Sequence, residues 1–140
     1  MSWRVHATAV AIEGRAVLIR GRPGAGKSDL ALRLVDRGAK LVSDDATLLR
    51  RRARHMLCLS VPGFEGLLEA RGLGMVRVPH VHSAPLSVIV SLGIPTERLP
   101  ASPRRRLGRY AVPEIILDPA RPAAPIHVEM ALNGDVLPIE

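Results

Sequence analysis

The stretch Gly21, Arg22, Pro23, Gly24, Ala25, Gly26, Lys27, Ser28 (GRPGAGKS, residues 21–28) decides the reading of this chain. It matches the phosphate-binding loop pattern in full, and it lies where hydrophobic periodicity changes from that of a strand to that of a helix. Glycines let successive backbone N–H groups converge on phosphate oxygens, and the start of the following helix adds partial positive charge. In such a loop the Lys27 ammonium reaches the outer phosphates of ATP. The Ser28 hydroxyl is the expected ligand of Mg²⁺.

Upstream of the loop, RVHATAVAI (residues 4–12) and RAVLIR (residues 15–20) flank the turn signal Glu13-Gly14 and predict a β-hairpin. Downstream, Leu30, Ala31, Leu34 and Val35 share one helical face while Asp29, Arg33, Asp36 and Arg37 occupy the other; Gly38 ends the helix. Residues 40–43 predict a short strand, 46–51 an extended continuation, and 55–60 another strand closed by Pro62-Gly63. Residues 67–78, LLEARGLGMVRV, read as irregular around Gly72 and Gly74. PLSVIVSL (residues 85–92) reads as a central strand, 93–109 as a Pro- and Arg-rich surface loop, and 126–132 as a last strand. No internal repeat or interdomain linker is visible, so residues 1–140 are expected to form a single α/β domain.

Asp44 and Asp45 follow the strand after the loop helix. Side chains of adjacent strand residues point to opposite sides, so the two carboxylates have different work available. One can face a metal ion and the other an acceptor hydroxyl, the division a phosphoryl transferase requires.

The chain carries a formal charge of +7, and Lys27 and Lys40 are its only lysines. Keeping Lys at position 27 in an Arg-dominated background fits a loop that needs a compact ammonium. Arg50, Arg51, Arg52 and Arg54, and Arg104, Arg105, Arg106 and Arg109, form two basic clusters suited to a solvated face or to an acidic partner. Aromatic residues make up only 2%, which leaves little for stacking bases and argues against nucleic acid as a partner. Cys58 is the single cysteine, so an intrachain disulfide is excluded; flanked by Leu57 and Leu59, it reads as a buried thiol. No apolar stretch is long enough for a membrane span, so no membrane partner is expected, and a cytoplasmic location follows.

His6 fifteen positions before Gly21, the loop itself, LVSDD (residues 41–45) and LLEARGLGMVRV together resemble the catalytic domain of the HPr kinase/phosphorylase family. The resemblance implies a P-loop, PEP-carboxykinase-like mixed sheet with the loop helix packed against it. It implies an ATP-dependent serine kinase acting on the phosphocarrier protein HPr of a regulatory phosphotransfer system, with a homo-oligomeric, hexameric assembly. Asp45 then resembles the residue that takes the proton from the acceptor serine; His6 and Lys27 resemble active-site residues; Glu69 joins Ser28 as a magnesium ligand, with Asp44 as a third candidate.

Further along, TERLP (residues 96–100) resembles the family segment bearing a catalytic arginine, which makes Arg98 the candidate to neutralise charge on the transferring group. DPARP (residues 118–122) resembles the segment linked to dephosphorylation but lacks its glycine and asparagine, so any reverse phosphorylase activity is expected to be weak. The compact form, without the family's N-terminal domain and ending where its C-terminal helices would begin, is similar to the short alphaproteobacterial versions. Two other readings of the same residues are a P-loop kinase for a small molecule and a non-catalytic nucleotide sensor.

Overall fold

The computed structural model describes residues 2–93, 104–107 and 110–134. In chain order the elements are β1 (Ser2–Val5), β2 (Thr8–Ile12), β3 (Arg15–Arg20), α1 (Lys27–Asp36), β4 (Lys40–Ser43), β5 (Thr47–Arg52), β6 (His55–Leu59), β7 (Leu67–Ala70), β8 (Gly74–Arg77), β9 (Ser83–Leu92), β10 (Arg104–Leu107), β11 (Tyr110–Leu117) and α2 (Ala124–Leu132). The hairpin of β2 and β3 forms as expected, with Glu13 and Gly14 at positive φ in its turn.

A mixed sheet runs in the order β1-β5-β6-β9-β3-β2-β4, with β11 also pairing β9 and β10 pairing β11. The central place of β9 follows from its length. Its first residues pair antiparallel with β6, and later ones pair parallel with β3 and with β11. Since β3, β9 and β11 run parallel, their carboxyl ends share one edge of the sheet, the usual position of ligand crevices in such folds. The glycine loop leaves β3 at that edge.

Alternation along the strands divides the core between the two faces of the sheet. Val17 and Ile19 of β3 and Val10 of β2 meet Leu30, Ala31 and Leu34 of α1, whereas Ala16, Leu18, Ala9 and Ala11 face Leu49, Met56 and Cys58. A register shift between β3 and β9 passes from the pair Ala16 and Leu86 to the pair Val17 and Val88. The extra residue explains why Leu86 and Val88, two apart, belong to opposite faces.

Four expectations are corrected. The run at residues 4–12 is two strands rather than one: β1 pairs with β5 and β2 with β3 and β4, and the chain bends between them at His6 and Ala7. Residues 67–78 contain a regular hairpin of β7 and β8, because Gly72 falls in its turn and Gly74 opens β8 instead of interrupting a strand. Within the stretch read as a loop, residues 104–107 pair with β11, a strand that composition did not announce. Residues 126–132 are helical, not extended. Their alternation Ile126, Val128, Met130, Leu132 mimics a strand, yet the buried side chains are Ala124, Pro125, Val128 and Leu132, the spacing of one helix face.

That helix is held to the rest of the fold by arginines. Arg37, the residue that closes α1, forms an ion pair with Glu129 at 2.8 Å, and Arg15 donates to Leu132 O and Asn133 Oδ1. Among the described residues no helix is long and apolar enough to cross a membrane.

Candidate active site

The glycine loop adopts the conformation its composition allows. Gly24 and Gly26 have φ of 81° and 104°, left-handed values that a side chain would strain. A Cβ on Gly21 would meet the Cβ of Ala25 at 3.0 Å and that of Leu92 at 3.2 Å, so glycine is also required there for close packing. Helix α1 begins directly after Gly26 with no side-chain cap on its first amides, and these are the donors that a phosphate group accepts. The Lys27 ammonium folds back over the loop, donating to Gly21 O at 3.0 Å and Arg22 O at 3.2 Å. It thus stands above the loop's own carbonyls.

The two acidic residues lie in a turn immediately after β4 rather than on the strand itself, so pleating does not separate them. Asp45 has φ of 64°, a left-handed conformation that Asp tolerates better than most residues, and the turn sends the two side chains to different tasks. Asp44 is tied into the structure: Oδ1 accepts from Ser28 Oγ at 2.7 Å and from Thr8 Oγ1 at 2.9 Å, and Oδ2 accepts the Glu69 N–H at 3.0 Å. The carboxylate therefore joins α1, β2 and β7. Asp45 is exposed and lines a cleft of about 360 Å³ together with Ser28, Asp44 and Glu69.

The fold brings Ser28, Asp44, Asp45 and Glu69 to one cleft, and the Lys27 ammonium lies on the carbonyls of Gly21 and Arg22. At the bend between β1 and β2, His6 lines a neighbouring hollow of about 300 Å³ with Arg20, Gly21, Arg22 and Ser91. It stands beside the start of the glycine loop rather than in the cleft of Asp45. Arg98 lies outside the described residues. The carbonyls of Arg121 and Pro119 accept from Arg33 of α1, which ties the 118–122 segment to the loop helix.

Several cleft residues had no signal in the sequence. Arg4, Phe64 and Met75 line it only because β1, the 61–66 turn and the β7-β8 hairpin converge there. Thr8, which contacts both acids, sits within an ordinary apolar strand run. A Thr or Ser among alternating Ala and Val residues was the one available hint.

The HPr serine kinase C-terminal domain matches residues 1–97. The chain belongs to that family. HPr kinase/phosphorylases of Bacillus cereus, Bacillus anthracis and Bacillus thuringiensis are 49% identical to it over 75 residues, 53% of this chain and 24% of each relative. The matched stretch thus spans about a quarter of the length of these relatives. Among solved structures, the HPr(Ser) kinase/phosphatase from Coxiella burnetii superposes with a TM-score of 0.79 at 26% identity, covering 96% of this chain and 95% of that one. The mixed sheet with a packed loop helix expected from the resemblance is the fold observed. Residues 21–28, 44, 45 and 69 all fall within the matched residues.

Proposed function

We propose that this chain transfers the γ-phosphoryl group of ATP to a serine hydroxyl of an HPr-type phosphocarrier protein. The observation that carries the reading is the 2.7 Å hydrogen bond from Ser28 to Asp44, which joins the phosphate loop to the acid turn. In this reaction the loop amides and Lys27 hold the polyphosphate, and the Asp45 carboxylate accepts the proton of the acceptor hydroxyl. The serine oxygen bonds to the γ-phosphorus as the bond to the bridging oxygen breaks, and ADP leaves.

Ser28, Glu69 and Asp44 offer hard oxygen donors lining one cleft, the donor type that suits Mg²⁺. When bound, the ion would supply charge neutralisation on the phosphoryl oxygens. Because Asp44 already accepts from Ser28, its part in this reading is chiefly to fix the Ser28 hydroxyl with its lone pairs free. In this reading His6 is a further active-site residue beside the glycine loop, and Arg98 neutralises charge on the transferring phosphoryl group.

A protein acceptor, ATP and a reduced Cys58 fit the cytoplasm, and nucleic acid and membrane have no part in this reading. Assembly into a homo-oligomer belongs to the same proposal. The test incubates the chain with γ-labelled ATP, Mg²⁺ and HPr. Label in the HPr band, absent when the acceptor serine of HPr is replaced by Ala, is the expected result; label found only in small molecules, or none transferred, overturns the reading. Adding inorganic phosphate afterwards measures the reverse activity.

A further inference from the structure

Thr8, Ser43 and Thr47 are the buried polar residues among those described, and all three surround the acid turn. Ser43 Oγ donates to Ala46 O. Thr47 Oγ1 donates to Ala7 O at 2.9 Å, which pins the backbone immediately before Thr8. Thr8 itself has no exposed surface, donates to Asp44 Oδ1 at 2.9 Å and accepts the Asp45 N–H at 3.1 Å.

A threonine hydroxyl carries a single proton. The Asp45 N–H approaches it as a donor, so the hydroxyl proton is committed to Asp44. One group therefore holds the side chain of the first acid and the main chain of the second. The left-handed turn at Asp45 is unfavourable for an L-residue, and the Thr8 bond offsets part of that cost. With Thr8, Ser28 and the Glu69 amide all donating to it, Asp44 has three fixed partners and little rotational freedom.

We propose that Thr8 is a positioning residue for phosphoryl transfer, its hydroxyl setting Asp44 against Ser28 and holding the turn that presents Asp45 to the cleft. The inference rests on the phosphotransfer reading above. Thr8 touches neither nucleotide nor acceptor and acts through the two acids.

Thr8→Val keeps the shape and removes the hydroxyl; Thr8→Ser keeps the hydroxyl and removes a methyl group. In the HPr phosphorylation assay Thr8→Val is expected to lower kcat ~10- to 100-fold. Its KM for HPr and its ATP affinity by calorimetry should stay within about threefold. Thr8→Ser is expected to recover most of kcat. A packing role alone predicts the opposite order, because Val fills the apolar site and Ser leaves a gap. Wild-type kcat in Thr8→Val, or equal loss in Thr8→Ser, overturns the proposal while leaving the kinase reading intact. If Thr8→Val does not fold, as judged by circular dichroism, Thr8→Ser against Thr8→Ala carries the same comparison. Failure of the wild-type chain to phosphorylate HPr overturns the kinase reading and this inference together.

Discussion

Ser28 and Asp44, sixteen residues apart, are joined by a 2.7 Å hydrogen bond from the serine hydroxyl to the carboxylate. Ser28 belongs to the first turn of the loop helix and Asp44 to the turn after β4, so one contact aligns the phosphate-binding and acidic parts of the site. It also divides the acids. Asp44 is occupied by internal donors, whereas Asp45 is exposed to the cleft, where the proposed reaction needs a base.

Asp45→Asn is expected to bind Mg–ATP within a few-fold of wild type and to lose phosphotransfer by about 10²- to 10⁴-fold, the range of a lost general base. Asn can keep the turn, since it tolerates the left-handed φ of 64°. Single-turnover assays and calorimetry check the two halves, and full kinase activity in this variant removes Asp45 from the mechanism.

Lys27→Ala is expected to weaken binding and turnover together. The ammonium now rests on Gly21 O and Arg22 O, ready to exchange those carbonyls for phosphate oxygens. A charged hydrogen bond contributes ~1.5–3 kcal/mol, or roughly 10- to 150-fold in affinity. Unchanged affinity in a calorimetric titration, with an unchanged rate, counts against the assignment.

Phe64 and Met75 line the cleft of Asp45 although 62% and 58% of their surface is exposed. A protein that brings a hydroxyl to Asp45 covers both, and each apolar contact adds to its binding. Phe64→Ser is therefore expected to raise KM for HPr about tenfold with no change in nucleotide affinity. An unaltered KM for HPr would show that the acceptor docks elsewhere.

Cys58 is wholly buried among apolar side chains, and that burial pushes its thiol from near 9 up to about 12. Below about pH 9 both folded and unfolded chains keep this proton, so stability is unaffected. Between about 9 and 12 the unfolded chain releases it and the folded chain does not, so stability falls with rising pH by up to ~1.4 kcal/mol per unit. Denaturant titrations should show Cys58→Ala losing less stability than wild type from pH 8.5 to 10.5. At pH 8 the native thiol should resist alkylation until the chain is unfolded, and fast native alkylation would contradict the burial.

Much of the site was readable because its chemistry is local. The glycines of residues 21–28 are required by backbone conformation and close approach, and Lys27 and Ser28 take their places from the first turn of the helix that follows. The same holds for the hairpin of β2 and β3, whose turn and alternation are short-range features. Asp44 and Asp45 were recognisable as a pair but not as a turn. Their separation comes from the left-handed φ of Asp45 rather than from strand pleating.

Period alone misled at residues 126–132, where alternating apolar residues suit a strand. Packing of Val128 and Leu132 on the sheet and the contacts from Arg37 and from Arg15 of β3 select the helix, leaving Ile126 and Met130 outward. Neither partner is near in sequence, so no local window contains the competing energy.

From its own order of residues the chain determined a phosphate loop, the helix that carries it and an acidic pair close behind, since those depend on backbone conformation and neighbours within a few positions. Tertiary structure decided the rest: that Thr8 and Ser28 converge on Asp44, that His6 lines a hollow with Gly21 and Arg22, and that α2 is a helix. These depend on contacts between segments separated in sequence, where strand pairing and side-chain packing select one arrangement among several that local preferences allow.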